Sequence, residues 1–334
     1  MKRRYNYISE YYKEKFGERT LKICVDGGFT CPNRDGTIGT GGCIFCSEKG
    51  SGELINNANK SIDKSSINLV VEDISNQIHK YFESYRAERA SKFIVYFQNY
   101  SNTYDSIENL RRKYDAALID DRIIGISIAT RPDCVNDEIV DLINSYTDKY
   151  YVCVELGFQT SNDLIGEKIN RGYDTDLFIN AVKQLKKHDV DVVAHIMCGL
   201  PFESRKEVNE NDISYDSIKN GEKISSEIKD TLSLINSCDI DGIKIHSTYV
   251  VKNTKLEKMY TDGSYLPLSF EEYMYDLLYI ISHINKKIII HRICADAPKD
   301  ILIAPEWNAH KKWILNGFEK YMKELNLNQG CFDQ

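Results

Sequence analysis

LKICVDGGFTCPNRDGTIGTGGCIFCSEKG, residues 21–50, changes character partway along. Its first part, LKICVDGG (21–28), is an apolar β-type run, and the remainder is a glycine-rich loop carrying three cysteines. Similar runs recur: KFIVYFQ (92–98), RIIGISIAT (122–130), YYVCVELGF (150–158), VDVVAHIM (190–197) and DGIKIHST (241–248). Between them the spacing predicts helices at about 68–90, 105–119, 136–147, 174–188 and 226–237. In the first of these, Val71, Ile74, Ile78 and Phe82 form an apolar stripe. Strands alternating with helices are the sequence sign of βαβ units around a parallel sheet. Strands this apolar suit a sheet covered on its outer face, and right-handed crossovers curl such a sheet. The expectation is therefore an α/β fold, a partial TIM-type (β/α)6 barrel over residues 1–255. An open doubly wound sheet is the alternative, but the Gly-x-Gly-x-x-Gly turn after a first strand is absent. The helical LPLSFEEYMYDLLYIISHI and the strand-like KKIIIHRICADAP fall in 256–334, read as an extension packed on the barrel.

Composition bounds the function. The chain has 334 residues, 42% of them hydrophobic, enough for one large or two moderate cores. No run approaches the roughly 18 apolar residues of a membrane-spanning helix, and the N-terminus lacks the apolar centre of a secretory signal. A cytoplasmic protein without membrane partners is expected. Formal net charge is −7 and the pI about 5.6, so the whole surface does not attract a polyanion. Two local basic stretches, Lys2–Arg4 among Tyr5, Tyr7, Tyr11 and Tyr12, and Lys311, Lys312, Lys320 and Lys323, read as solvated helix faces. Two polar segments, 47–66 and 203–225, read as loops, the second placed to act as a lid.

Four of the ten cysteines crowd into residues 24–46, which calls for a metal. Cys43 follows Cys31 after eleven residues and Cys46 follows after two more. Gly36, Gly39, Gly41 and Gly42 permit positive φ in the wide gap, so the loop can wrap a cluster. Thiolates are the soft ligands iron–sulfur clusters use, and a two-residue gap lets Cys43 and Cys46 converge. The competing reading recruits Cys24 as a fourth thiolate around a structural zinc, in a nucleic-acid-binding module without catalysis. Against it, Cys24 sits in a strand, and its spacing to Cys31 lacks the short hook of zinc sites.

A cysteine loop after strand one of a six-unit barrel resembles the radical S-adenosylmethionine (SAM) superfamily, although its usual cysteine gaps are three and two. The wide gap resembles that of the elongator-type branch and of uncharacterised bacterial radical SAM proteins related to it. FQNYSNTY (97–104), SIATRPDC (127–134), VELGFQT (154–160), NRGYD (170–174) and HIMCGLP (195–201) resemble that family in order and position, and the similarity spans about residues 5–310. The resemblance implies that Cys31, Cys43 and Cys46 hold three irons of a 4Fe-4S cluster while the fourth binds SAM. One electron, from a donor such as flavodoxin or ferredoxin, then yields a 5′-deoxyadenosyl radical that takes hydrogen from substrate.

The same resemblance distributes roles. Phe45 lies against adenine. Gln98 and Asn99 stand where the superfamily commonly places a Gly-Gly-Glu turn for the methionine amine, so FQNY is a departure. Thr130 ends the third strand, preceded by Ala129 where relatives often have an acid. Gln159 and Arg171 resemble polar contacts to the SAM ribose and carboxylate, a guanidinium suiting a carboxylate by its forked geometry. Glu155 shares a strand face with Cys153 and Gly157, and a buried carboxylate there needs a partner. His195 shares a face with Met197, and Lys244 with His246, which makes these three polar residues candidates for the substrate side. His291, Arg292 and Asp296 are placed to close the mouth. Elongator-type relatives act on the wobble uridine of tRNA, so tRNA is the leading substrate, met by the basic, tyrosine-rich N-terminus. Acetyl-CoA chemistry is not expected, since the residues up to Gln334 leave no room for the elongator acetyltransferase domain. The alternative is a small metabolite, as for coproporphyrinogen dehydrogenase relatives, which the acidic net charge favours.

Overall fold

The computed structural model describes residues 3–48, 50, 66–295 and 297–333. β1 (Thr20–Val25), β2 (Lys92–Phe97), β3 (Ile123–Thr130), β4 (Tyr151–Gln159), β5 (Asp191–Cys198) and β6 (Gly242–Ser247) pair in sequence order, every pair parallel. β7 (Val250–Val251) leaves the sheet to pair antiparallel with β9 (Leu302–Ala304). Between those two in sequence, β8 (Ile289–Arg292) returns to the main sheet and pairs parallel with β6. Among the described residues the curled half-barrel sheet has seven strands: the six expected, joined by the strand expected in the extension. The KKIIIHRI run joins the sheet because the helix before it makes one more crossover of the same kind.

That helix is α10 (Phe270–His283), started by a capping box in which Ser269 and Glu272 satisfy each other's backbone N–H. The other long crossovers are α2 (Ile67–Phe82), α3 (Ile107–Asp115), α4 (Asp137–Asn144), α6 (Thr175–Leu185) and α8 (Ser226–Ser237). Four of them begin at a side-chain cap, Ser106, Asn136, Asp174 and Ser225, each removing an orphan donor at a helix start. Val70, Ile74 and Ile78 of α2 lie buried in the core that covers the sheet's outer face. The strands supply the opposite wall: in β3, Ile126 and Ile128 point into that core while Ser127 points inward.

The polar segment 203–225 is more ordered than its composition implies. Asn209 caps a 3-10 turn at Glu210–Asp212, and α7 (Tyr215–Asn220) comes next. Ile213, Ile218 and Ile224 bury themselves at intervals too wide for a periodicity reading. Of the other expected loop, residues 51–65 lie outside the described residues.

The termini give two outcomes. α1 (Ile8–Phe16) closes the amino-terminal end of the strands: the Tyr11 hydroxyl donates to Asp191, the first residue of β5, at 2.9 Å. Tyr12 and Phe16 pack edge-on against Tyr151, the first residue of β4. Tyr5 is buried against Phe318 and Tyr12 against Tyr151, so among the described residues this segment is packed on the protein rather than forming a solvated face. The late lysines behave as expected. α11 (Lys311–Glu324) buries Ile314, Phe318 and Met322 and leaves Lys311, Lys312, Lys320 and Lys323 outward.

Candidate active site

Parallel strands deliver their carboxyl ends to one mouth, and side chains there meet across it. Cys31, Cys43 and Cys46 line the pocket at that mouth. Long-range bonds hold their loop. The Asn33 amide donates to Asn170 O at 2.6 Å, and the Asn170 amide donates to Gly42 O at 2.7 Å. Ile44 N–H donates to Ile169 O at 3.1 Å, and Leu256 N–H, from α9 (Lys255–Thr261), donates to Ile44 O at 3.0 Å. The Ile44 side chain anchors a second, smaller core with Ile165, Leu200 and Leu256. Gly42 adopts φ +73°, and a Cβ there would meet the Arg34 side chain, whose guanidinium bonds Cys46 O and Ser47 O.

The thiols are placed as a set. Cys43 and Cys46 hydrogen-bond each other, which pushes the Cys43 thiol up and, with Arg34 beside it, holds the Cys46 thiol below its ordinary range. Cys24 belongs elsewhere. It faces the barrel interior on β1, where its charged neighbours are Lys244, Arg292, Lys22 and Glu155. The four-thiol zinc reading is thereby corrected: the pleat of β1 turns Cys24 away from the loop. Among the described residues no three His, Cys, Asp or Glu side chains converge on a point for a single ion. Thiolates on separate irons of a cluster need no such convergence, and three soft donors on one wall of an open pocket fit that group.

Phe45, Gln98, Thr130 and Gln159 also line the pocket. Gln159 takes φ 65° and accepts from the Tyr173 hydroxyl at 2.9 Å. Thr130 shares a hydrogen bond with Thr103 at 2.6 Å. Asn99 is corrected: it is buried off the pocket wall, its Oδ1 without a partner. Arg171 is corrected as well. Its guanidinium is fully buried and donates to Phe158 O, Thr160 O, Tyr173 O and the Asp163 carboxylate, all within 2.9 Å. It clamps the end of β4 onto the turn before α6. The arginines on the pocket wall are Arg34, Arg292 and Arg131, the last paired with Asp133 at 2.7 Å. Arg131 stands in the quoted SIATRPDC block, directly after β3, and that position was the available signal.

The floor is a charge cluster around Glu155. One carboxylate oxygen accepts from Lys22 at 2.6 Å and Ser127 at 2.9 Å; the other meets His195 at 2.9 Å and Lys244. Lys244 also donates to the Tyr96 hydroxyl at 3.1 Å. Burial alone would raise the carboxyl's pKa, but Lys22 and Lys244 outweigh it and hold it well below the usual range. Burial pulls the Lys244 ammonium down to about 8 against the pull of Glu155. Burial likewise takes His195 down to about 4, so its imidazole is neutral at pH 7.

His195 and His246, with ring centres 5.2 Å apart, line the pocket, whereas Lys244, level with His195 in the sheet, turns its ammonium away from the lining to Glu155 and Tyr96. That corrects its reading as a substrate-facing residue. Arg292 lines the mouth, but His291 is tucked beneath it into the space left by Gly242, where a Cβ would come within 2.7 Å of the ring. Asp296 lies outside the described residues.

A half-barrel with this cysteine loop defines a class. The radical SAM superfamily profile matches residues 34–211 and that of the Radical_SAM C-terminal domain matches 240–324, so the chain belongs to the radical SAM superfamily and is an enzyme that uses a 4Fe-4S cluster and SAM. It is 34% identical over 332 residues to the uncharacterised protein YtqA of Bacillus subtilis (strain 168), covering 99% of this chain and 94% of that one. It is 31% identical over 147 residues to a tRNA uridine(34) acetyltransferase of Dehalococcoides mccartyi (strain CBDB1), covering 44% of this chain and 28% of that one. The archaeal Methanocaldococcus infernus Elp3 with an N-terminal deletion shares the fold at TM-score 0.62 and 18% identity, covering 93% of this chain and 64% of that one. When bound, the cluster and SAM supply a 5′-deoxyadenosyl radical; the chain's residues hold, orient and shield.

Proposed function

We propose that Cys31, Cys43 and Cys46 hold the cluster and that the enzyme uses SAM there to modify the side chain of a tRNA wobble uridine. Phe45, Gln98, Thr130 and Gln159 then place the cofactor, while His195 and His246 face the reacting group and the Glu155 cluster keeps the floor rigid. A charged network whose donors and acceptors are matched resists rearrangement when a ligand enters. The observation that carries the substrate half is the 31% identity over 147 residues to a protein named for tRNA uridine(34). Nucleoside analysis of tRNA from a strain lacking this gene tests it. The expected result is loss of one wobble-uridine derivative with accumulation of its precursor; an unchanged wobble profile contradicts it.

A small-metabolite substrate is the second reading. It is favoured by the formal net charge of −7 and by the packing of the basic N-terminal segment at the end of the barrel opposite the mouth. Failure to retain tRNA at low salt supports it.

A further inference from the structure

Past the carboxyl end of β5 the chain makes a tight turn that puts Phe202 into solvent, half exposed and at φ 74°. Left-handed backbone is a genuine outlier for a bulky side chain, and it persists only where its surroundings over-determine it. They do so here. The Glu203 carboxylate accepts from Gly199 N–H at 3.0 Å, and Ser204 bonds Glu227 through both its backbone N–H and its hydroxyl. Arg205 reaches across to Leu266 O at 2.8 Å. A strained turn held this firmly, yet displaying an aromatic ring to water, gains nothing for the core.

The ring has company. α5 (Asp163–Lys168), which comes after β4 at the same mouth, sets the Lys168 ammonium 4.6 Å from the Phe202 ring centre. Leu164, one turn earlier on the same helix face, is exposed, as is Leu266. Lys206 is exposed two residues beyond Ser204. The residues after Lys168 are those that bond the cysteine loop, so this patch adjoins the pocket rim.

We propose that Phe202, with Lys168 over its ring, is a platform on which an unpaired base of the RNA substrate stacks while the Lys168 ammonium meets its phosphates. The proposal rests on the tRNA reading and names the surface that would deliver the substrate. A bare apolar patch suits protein or lipid, but an exposed aromatic ring with an ammonium 4.6 Å from its centre is what single-stranded nucleic acid uses: every base has a π-face, and phosphates flank it.

The test is binding of a fluorescent anticodon stem-loop RNA and of a fully paired RNA of equal length to the cluster-loaded enzyme at several salt concentrations. F202A is expected to weaken stem-loop affinity by about tenfold with little change in salt slope and little effect on the duplex. K168Q is expected to lower the salt slope by about one. F202G adds a readout independent of RNA: by relieving the left-handed strain it should raise the melting temperature by a few degrees while weakening binding as F202A does. Equal stem-loop affinity in F202A and wild type, or no binding by wild type, overturns the platform. Loss of flavodoxin-driven cluster reduction in F202A with RNA affinity intact assigns the patch to the electron donor and overturns it too. Nucleoside analysis of the deletion strain judges the tRNA reading separately, since wobble modification can be lost there while F202A binds RNA normally.

Discussion

The cysteine loop hangs on hydrogen bonds to a turn far along the chain: Asn33 finds its partner, Asn170, 137 residues later. The floor of the same pocket is set by strand register, which carries Lys22, Ser127, Glu155, His195 and Lys244 on one inner face of the sheet. The loop owes its shape to amide–carbonyl bonds and a small apolar cluster around Ile44, whereas the floor owes its shape to opposed charges that are largely buried. Such charges hold firmly when matched and cost heavily when one is removed. Damage to the loop should therefore appear in cofactor retention, and damage to the floor in stability.

The largest expected effect is at the loop. C43A should bring 5′-deoxyadenosine formation to background with the melting curve little changed, as read by anaerobic assay beside calorimetry. E155Q should do the reverse to the fold. It leaves Lys22 and Lys244 in the interior without their countercharge, for a loss of about 3–5 kcal/mol in urea unfolding. A loss below about 1 kcal/mol would show the floor to be better hydrated than its burial implies. N170A lies between the two regions in kind. It removes the side-chain donor to Gly42 and the left-handed tolerance of Asn170 at φ 56°, and cluster retention through gel filtration should fall about tenfold.

The effect that is smallest at any one pH step is a pH dependence. Native His195 takes up its proton only near pH 4, the unfolded chain near 6.5, so the unfolded state binds more protons between those values. Stability then falls as pH drops through that window, at up to about 1.4 kcal/mol per unit. H195Q should flatten this slope. Glu155, depressed in the folded state, contributes stability that is present above pH 4.5 and lost as pH falls toward its native value, so its effect appears at lower pH. An unaltered slope in H195Q would show that another group titrates there.

How far the sequence reached obeys the same division. Strands and crossovers were legible because apolar runs such as RIIGISIAT alternate with segments of helical spacing, the pattern of a parallel sheet covered by helices. Glu155 announced its need for a partner, but not that Lys22, 133 positions earlier, would be one, since no local pattern encodes that pairing. Arg171 and Arg131 both lie beyond strand ends in motif blocks, and nothing in their neighbours says which lines the pocket. The carbonyls of Phe158 and Thr160 decide it by capturing Arg171. The eighth strand was readable as a strand; its return to the sheet depended on where α10 would send it. Assigning the N-terminal tyrosines to solvent failed because Tyr12 packs on Tyr151 at the start of β4 and Tyr5 on Phe318 of α11, partners that only the folded chain brings near.

Electron paramagnetic resonance of the anaerobically reduced, iron-loaded protein with and without SAM is the most direct test of thiol placement and open coordination together. The account predicts about four irons and four sulfides per chain and a spectrum that SAM perturbs, with both absent from C31A, C43A and C46A. One zinc per chain without sulfide, or a cluster signal indifferent to SAM, would contradict it.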